Sequence, residues 1–345
     1  MRRKYGSVEG EFFPLSVSLI IKIHKKCCDK SAKTGTGVMK SYNAYPIDEE
    51  HQGLTIEVYL KQVQKYSGRK IQKLTRLKGI LLNKKPVFLQ KKVKTGDILR
   101  VLSLEDSSYG VEPESGPVEV LYEDSYLIVL NKPSGLLVHP AGQTSRGTLS
   151  NYLAHYYQQQ GAICTVRPIH RLDRETSGCV VFAKDSHTQA LLDGLLKEGT
   201  LKRTYQAVVH GLMDPPAGTI NAPIGSHPTK PNRRAVNPKG DQAVTHYKTI
   251  RSFSEASLLE LTLATGRTHQ IRVHLTYVGH PIIGDRMYGK GSPYITGQAL
   301  HASFLHFPHP VEEREIAVEA PFPADFLRVL ENHLNCSHEP DSENL

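Results

Sequence analysis

Residues 168–184 read PIHRLDRETSGCVVFAK, a charged segment without apolar periodicity that runs into a predicted strand. Within it, Asp173 lies between Arg171 and Arg174, at a position that no apolar pattern assigns to a core. Nearby arginines favour the ionised form of a carboxylate, which can act as a nucleophile or as a base. An isolated aspartate more often caps a turn or pairs with an arginine. Asp173 is therefore a candidate catalytic residue that other motifs must support.

Two further clusters lie downstream of this segment. Lys202 and Arg203 come just before Tyr205, which opens a predicted strand. Residues 265–274 read TGRTHQIRVH, so Arg267 precedes a predicted helix and Arg272 lies on its body. The plain alternatives are a tyrosine packed in a strand and a solvated basic helix. Together with Asp173, the two clusters favour a functional site.

The residues around these motifs predict short strands and isolated helices. We expect strands at 118–122, 127–131, 180–184, 205–210, 243–250 and 258–262. We expect helices at 149–159, 187–198 and 268–278. Because strands and helices do not alternate strictly, the pattern predicts an α+β fold with a mixed, largely antiparallel sheet rather than a doubly wound one.

Positive charge is concentrated near the N-terminus. Residues 54–101 contain 13 Lys and Arg against two acidic residues, a net charge of +11, whereas the rest of the chain carries −2. Such a focused field is typical of a protein that binds a polyanion, although a lysine-rich face can also be merely solvated. Predicted helices at 55–64 and 69–78 and strands at 80–83, 87–88 and 99–102 indicate a small domain of two helices and a hairpin sheet, with a basic helix face.

These motifs resemble, in the same order, those of the RluA-type pseudouridine synthases, which isomerise uridine to pseudouridine in ribosomal or transfer RNA. Residues 170–178 resemble the family's signature. The accompanying motifs are matched by residues 131–135, 202–205, 265–272, 279–285 and 298–301. The resemblance covers about residues 118–330, and residues 54–102 resemble the S-four-type RNA-binding domain found ahead of the catalytic domain in many members.

The resemblance implies a role for each matching residue. Asp173 matches the catalytic aspartate, and Arg171 matches the residue that enters the RNA stack when the target uridine is flipped out. Tyr205 matches the aromatic residue that stacks against the uracil. Arg267 matches the basic residue that pairs with the aspartate, with Arg272 as a second candidate for that role.

On the basic helix, we expect Lys70, Lys73 and Arg76 to bind RNA, since Lys and Arg neutralise its phosphates. The sequence predicts RNA as the partner, with large-subunit ribosomal RNA favoured over transfer RNA. It predicts a monomer without an obligate protein partner.

Pseudouridine formation breaks the N1–C1′ bond, rotates the base and rejoins it through C5. The reaction needs no redox agent, so we expect no cofactor. We also expect no metal, because His269 and His274 are five residues apart and cannot share one face of a helix. The carboxylate can begin the reaction by adding to the uracil ring or by assisting departure of the base, and the sequence leaves both routes open.

Two other classes of protein compete with this interpretation. A non-catalytic RNA-binding assembly factor would need none of the Asp173, Arg and Tyr205 constellation. A glycosidase would need a second carboxylate across the site, and Glu175 is only two residues from Asp173.

The domain boundaries follow from composition. We expect a poorly ordered extension at 1–38, the RNA-binding domain at 39–103, a linker at 104–117, the catalytic domain at 118–331 and a disordered tail at 332–345. Five cysteines without a C-x-x-C pair indicate a reducing compartment, and the longest apolar run is too short to span a membrane. We therefore expect a cytoplasmic protein without a membrane segment.

Overall fold

The computed structural model describes residues 42–102, 106 and 108–335. The expected N-terminal extension at 1–38 lies outside these residues, as does the tail from 336 to 345. No helix among the described residues has the length and apolar character needed to cross a membrane.

Residues 42–102, which we call the basic module, form a four-stranded antiparallel sheet and two helical segments around their own core. The strands are β1 (Tyr42–Pro46), β2 (Ile80–Leu82), β3 (Lys85–Pro86) and β4 (Ile98–Leu102), in the order β1-β4-β2-β3. The helical segments are α1 (Ile56–Val58), which continues as a π-helical turn over Tyr59–Val63, and α2 (Gly68–Arg76). Apolar side chains from both helical segments and the sheet form the core.

Local sequence explains the two helix starts in the basic module. Thr55 accepts a hydrogen bond from the Val58 amide and Ser67 accepts one from the Lys70 amide, so each supplies an N-cap. The predicted helices are confirmed. The predicted strand at 87–88 is wrong: β3 lies just before it, and the Phe88 side chain is exposed.

The remaining residues are built on one ten-stranded sheet, largely antiparallel as predicted. The strands are β5 (Val120–Glu123), β6 (Leu127–Lys132), β7 (Arg167–Pro168), β8 (Ser177–Ala183), β9 (Lys202–His210), β10 (Ala217–Asn221), β13 (Val244–Ser252), β14 (Ala256–Leu263), β15 (Leu300–Pro308) and β16 (Glu315–Glu319). The main path of the sheet runs β10-β13-β14-β9-β15-β8-β6-β5, with β16 paired to β15 and β7 paired to β8. A separate ribbon pairs β11 (Ile224–Ser226) with β12 (Arg234–Val236). The β8–β15 pairing is parallel.

Helices cover both faces of the sheet around its centre. They are α3 (Leu149–Gln159), α4 (Ser186–Glu198), α5 (Gln270–Tyr277) and α6 (Ala324–Asn335). Side chains of α3, α5 and α6 join one core cluster with Ile128 and Leu130, whereas Leu192 of α4 joins a second cluster with Leu127 and Val129. Because β6 is buried on both faces, its first four residues, 127–130, are all apolar.

Between the basic module and β5 the structure describes residues 106 and 108–119, none of which lies in a helix or strand. They pack against the part of the chain built on the ten-stranded sheet, which is the expected catalytic part. Asp106 forms an ion pair with Arg167, and the carbonyl of Tyr109 accepts the Val166 amide at 2.9 Å. Further along, the Glu114 amide donates to the Asn151 carbonyl at 3.1 Å. The expected linker is thus a connection held along the catalytic surface.

The expectation of disorder from residue 332 onward is wrong for 332–335. These residues complete α6, whose Phe326 and Val329 are buried in the main core. An amphipathic face buried against the sheet stabilises the helix through its last turn.

Candidate active site

Asp173 lies on the loop between β7 and β8, at the edge of a cleft of about 460 Å³. The Thr176 amide donates to the Asp173 carbonyl at 3.1 Å, which closes a turn around the carboxylate. β8 follows directly and is buried along its whole length, so the turn is attached to a fully buried strand. The fold therefore presents Asp173 from a short, well-anchored loop.

Lys132, at the end of β6, anchors the loop that carries Asp173. Its side chain is buried, and Nζ donates to the carbonyls of Pro133 (2.8 Å), Leu136 (2.7 Å) and Arg174 (2.9 Å). Burial lowers the pKa of Lys132 to about 7, while the charges of Glu175 and Asp173 act in the opposite direction. One side chain thereby ties the 133–136 turn to the residue next to Asp173. Lys132 lies in the 131–135 motif, but nothing in the sequence pattern indicates this anchoring role.

Arg272, on α5, faces the carboxylate from across the cleft. Its Nη1 lies 3.1 Å from Asp173 Oδ2, and its Nε and Nη2 donate to the two oxygens of Asp285 at 2.7 and 2.9 Å. Asp285 is buried and also accepts the amides of Met287 and Tyr288. The bidentate pair fixes the guanidinium plane, so one N–H remains directed at Asp173. The sequence suggested Arg272 as a second candidate but gave no role to Asp285.

The expected pairing of Arg267 with Asp173 is wrong. Arg267 lies in the turn before α5, where its Nε donates to the Gln242 carbonyl at 3.1 Å and its Nη1 lies 3.9 Å from Asp241. The helix begins only at Gln270, whose side-chain oxygen accepts the Arg267 amide. This turn points Arg267 toward residues 241–242, and Arg272, on the helix, pairs with Asp173 instead.

His269 is a third group near the carboxylate that sequence analysis did not select for this site. It precedes α5 in a left-handed conformation (φ 59°), and its Nε2 lies 4.0 Å from Asp173 Oδ2. Its Nδ1 lies 2.8 Å from the Tyr288 hydroxyl, which also accepts the Arg234 amide. Burial lowers the pKa of His269, so the ring is neutral near pH 7. The unusual backbone conformation of a non-glycine residue is visible only in three dimensions.

Tyr205 and Arg171 also line the cleft. Tyr205 lies on β9 and is almost fully buried. Burial raises the pKa of its hydroxyl, so the hydroxyl stays protonated and the ring forms an apolar wall of the cleft. Arg171 is exposed on the same loop as Asp173. The structure thus brings together the predicted Asp173, Tyr205, Arg272 and Arg171, and Arg267 lines the same cleft. Among the described residues that line the cleft, Asp173 is the only one with a carboxylate.

The chain is similar to known proteins over most of its length. Residues 126–277 match the family model described as RNA pseudouridylate synthase. The RNA pseudouridine synthase YhcT of Bacillus subtilis is 42% identical over 291 residues, covering 84% of this chain and 96% of the relative. The chain belongs to the RluA-type RNA pseudouridine synthases.

Two other relatives extend the comparison. The ribosomal large subunit pseudouridine synthase D of Escherichia coli K12 is 37% identical over 281 residues, covering 77% of this chain and 86% of the relative. The solved structure of human RNA pseudouridylate synthase domain containing 4 is similar with a TM-score of 0.52 and 25% identity, covering 63% of this chain and 93% of that one.

The predicted RNA-binding residues of the synthase's basic module lie apart from Asp173. Lys73 and Arg76 are exposed on α2. Lys70 is half-buried: its Nζ donates to Ser186 Oγ at 2.9 Å and lies 4.3 Å from the centre of the Tyr66 ring. Lys70 therefore contacts the catalytic part, and Lys73 and Arg76 are the freer cations of the three. In the part of the chain that the structure describes, no group of three or more His, Cys, Asp or Glu could hold a metal ion.

Proposed function

We propose that this synthase isomerises uridine in large-subunit ribosomal RNA, with Asp173 as the catalytic carboxylate. The observation that carries the assignment is the Arg272 fork, which joins Asp173 to the buried Asp285 inside a cleft walled by Tyr205. The relative from E. coli K12 is named for the large ribosomal subunit, which supports that choice of RNA.

The chemistry assigned to this site is an isomerisation without a net gain or loss of atoms. The N1–C1′ bond breaks, a C5–C1′ bond forms, C5 loses its proton and N1 gains one. Asp173 acts either by adding to the uracil ring or by assisting departure of the base, and the adjacent guanidinium of Arg272 stabilises its negative charge. The ring of Tyr205 offers a stacking face for the flipped uracil.

Access to a uridine in folded RNA requires that the base leave its stack. We assign Arg171, exposed beside Asp173, to the gap that the base leaves behind, since a guanidinium plane stacks on bases and binds phosphate. Residues 42–102 are assigned to an S-four-type RNA-binding domain, with Lys70, Lys73 and Arg76 as phosphate contacts. A monomeric state and a cytoplasmic location stay predictions.

The glycosidase alternative has little support from the cleft. Inverting and retaining glycosidases both use a second carboxylate facing the first. Glu175, the nearest candidate in sequence, lies outside the cleft lining, with its Oε2 3.4 Å from Ser134 Oγ. A hydrolase of that type is therefore not favoured.

The decisive experiment is the Asp173→Asn variant. We expect it to stop pseudouridine formation while RNA binding is largely retained, because the amide keeps the shape but lacks the anion and the phosphate contacts lie elsewhere. Tritium release from RNA labelled at C5 of uridine measures turnover, and pseudouridine mapping of cells with and without the gene identifies the RNA. Wild-type turnover by the Asn variant would disprove the role of Asp173.

A further inference from the structure

A second, smaller cavity of about 320 Å³ adjoins the active-site cleft. One wall is the segment 137–141, and the other is residues 168–172, which run from β7 into the loop that carries Asp173. Residues 169–172, including Arg171, line both this cavity and the cleft. The two hollows therefore share a wall, and that wall contains the residue assigned to the gap left by the flipped uridine.

The lining of this cavity suits a heterocyclic base. Leu137, Pro140, Ile169 and Leu172 supply apolar surface, and no lysine or carboxylate lines the cavity among the described residues. Its size is at the lower end of the range for small-ligand sites, which is enough for one base. Of the described residues that line the cavity, Arg171 is the one that is permanently charged, so a phosphate would have a single ionic partner there. The flat face of a base would instead contact apolar side chains on both walls.

His139 gives the cavity a defined polar group. The Ser150 hydroxyl donates its single proton to the Val138 carbonyl at 2.7 Å. It must therefore accept at its 3.3 Å contact with His139 Nδ1, so Nδ1 carries the ring proton. Partial burial lowers the pKa of His139, which favours the neutral ring. Nε2 is then a hydrogen-bond acceptor on an imidazole face that can also stack on a base.

We propose that this cavity is a second base subsite of the synthase, which receives the base of a nucleotide next to the target uridine. The inference rests on the proposed function, because the neighbour is defined by the uridine that enters the cleft. Flipping a uridine while Arg171 enters the stack removes a stacking partner from the adjacent bases. If the base next to the flipped uridine turns into this second cavity, on the other side of the shared wall, it packs on apolar side chains again. It also donates an N–H to His139 Nε2.

The test uses a short hairpin RNA in which wild-type protein modifies one uridine. Each nucleotide flanking that uridine is replaced in turn by an abasic ribose. At one of the two flanking nucleotides, we expect removal of the base to raise the KM of the wild-type protein about tenfold, since a stacked base contributes on that scale to binding. With intact RNA, His139→Ala should already have this higher KM. Its KM should rise little further when the flanking nucleotide is abasic.

His155→Ala is the matched control, because His155 is a histidine on α3 outside the cavity lining. It should respond to the abasic flank as the wild-type protein does. Ala141→Phe, which narrows the cavity from an exposed position, should reproduce the KM effect of His139→Ala without removing the imidazole.

The outcomes separate this inference from the proposed function. Failure of wild-type protein to release tritium from any ribosomal RNA would count against the function. Normal tritium release combined with the same abasic penalty in wild-type protein, His139→Ala and Ala141→Phe would overturn the subsite alone.

Discussion

At the scale of single residues, the site depends on how Arg272 divides its donors. Two N–H groups are committed to Asp285, and a third is left for Asp173 at 3.1 Å. A planar fork can hold this geometry, whereas an ammonium group is a single point charge. The shape of the guanidinium, as well as its charge, therefore positions the Asp173 carboxylate.

Arg272→Lys tests this division of donors while keeping the positive charge. We expect kcat for tritium release to fall about 100-fold, since misplacing a reacting group by an ångström costs that much. Arg267→Lys is the matched control: because Arg267 bonds the Gln242 carbonyl, kcat should stay within a factor of about three. A large loss of kcat in the Arg267 variant and a small one in the Arg272 variant would restore the pairing suggested by the sequence.

His170 connects the signature loop to acid stability. The Val181 amide donates to its Nε2 at 3.4 Å, and burial lowers the pKa of the ring to about 3. The unfolded chain takes up a proton below about pH 6.5, whereas the folded chain stays neutral until about pH 3. Stability from this group is therefore complete above pH 6.5 and is lost as the pH falls, by about 2 kcal/mol at pH 5.

The measurement is the free energy of unfolding in urea at pH 7 and pH 5, followed by circular dichroism. His170→Asn should lower stability at pH 7, because the asparagine leaves unfilled volume, but it should lose about 2 kcal/mol less than wild-type protein on going to pH 5. Equal losses in the two proteins would mean that His170 does not titrate in this way. His155→Asn, a change at a half-buried histidine on α3, should follow the wild-type protein.

Much of the site could be predicted from the sequence, and the misses share a physical cause. Asp173, Tyr205 and Arg272 were selected because polar or aromatic residues in dense motifs stand out. The roles of Lys132 and Asp285 could not be predicted, since nothing in a linear pattern shows that a charged side chain is buried against a distant partner. Lys132 bonds the Arg174 carbonyl, 42 residues away, and Asp285 pairs with Arg272, 13 residues away.

At the scale of secondary-structure elements, the contact between β8 and β15 holds the active-site loop at the centre of the sheet. The strands are parallel, and Ser177 Oγ lies 2.8 Å from His301 Nδ1 across them. Gly178, at φ 109°, lets the backbones approach: a Cβ there would lie 2.2 Å from the Ala302 carbonyl oxygen. Only glycine suits both the conformation and the space.

Gly178→Ala should therefore lower the free energy of unfolding by about 3 kcal/mol or more and reduce turnover, because β8 carries the Asp173 loop. Gly194→Ala is the matched control. It lies in α4 with open space around the new methyl group, so it should stabilise the protein by about 0.5–1 kcal/mol. Urea unfolding of both variants checks the signs, and a neutral Gly178→Ala would show that the two strands can separate at no cost.

Elements with local signals were predicted well. Helix α3 has the predicted bounds, and Thr148 and Asn151 form a capping box at its start. Strand β15 was not predicted, because its buried His301 and Ser303 interrupt the apolar pattern. His301 is buried only because Ser177 and the Ala320 carbonyl satisfy its two ring nitrogens. Strand β1 was also not predicted, and it depends on its pairing with β4. Helix α6 was missed although Phe326 and Val329 give it an amphipathic face that packs on the main core.

At the scale of the whole molecule, the basic module contacts the catalytic part through a small polar and aromatic patch. The Tyr66 ring stacks on the His187 ring with centroids 5.1 Å apart, and Lys70 donates to Ser186 beside it. The connection from Asp106 onward is tied separately to the catalytic part. The main core and the core of the basic module share no residues. The contact therefore orients the module without completing the catalytic core.

This arrangement predicts what removal of residues 1–103 does. The truncated chain keeps Asp106 and its ion pair with Arg167, so the catalytic part should fold and keep its circular dichroism spectrum. It loses the stretch that carries a net charge of +11 and should bind RNA more weakly, with a flatter salt dependence. Each lost phosphate contact should reduce the slope of log affinity against log salt by about 0.7–0.9.

The full-length double variant Lys73→Gln, Arg76→Gln isolates the exposed cations of α2 from loss of the module. If both bind phosphate, its salt slope should fall by about 1.4–1.8, while the kcat at saturating RNA stays at the wild-type value. The truncated chain should also keep its kcat at saturating RNA, because Asp173, Arg272 and Tyr205 all lie beyond the deletion. An unchanged salt slope in both proteins would mean that the module is only a solvated face. A folded truncated chain without turnover at saturating RNA would instead mean that the Tyr66–His187 contact helps to build the active complex.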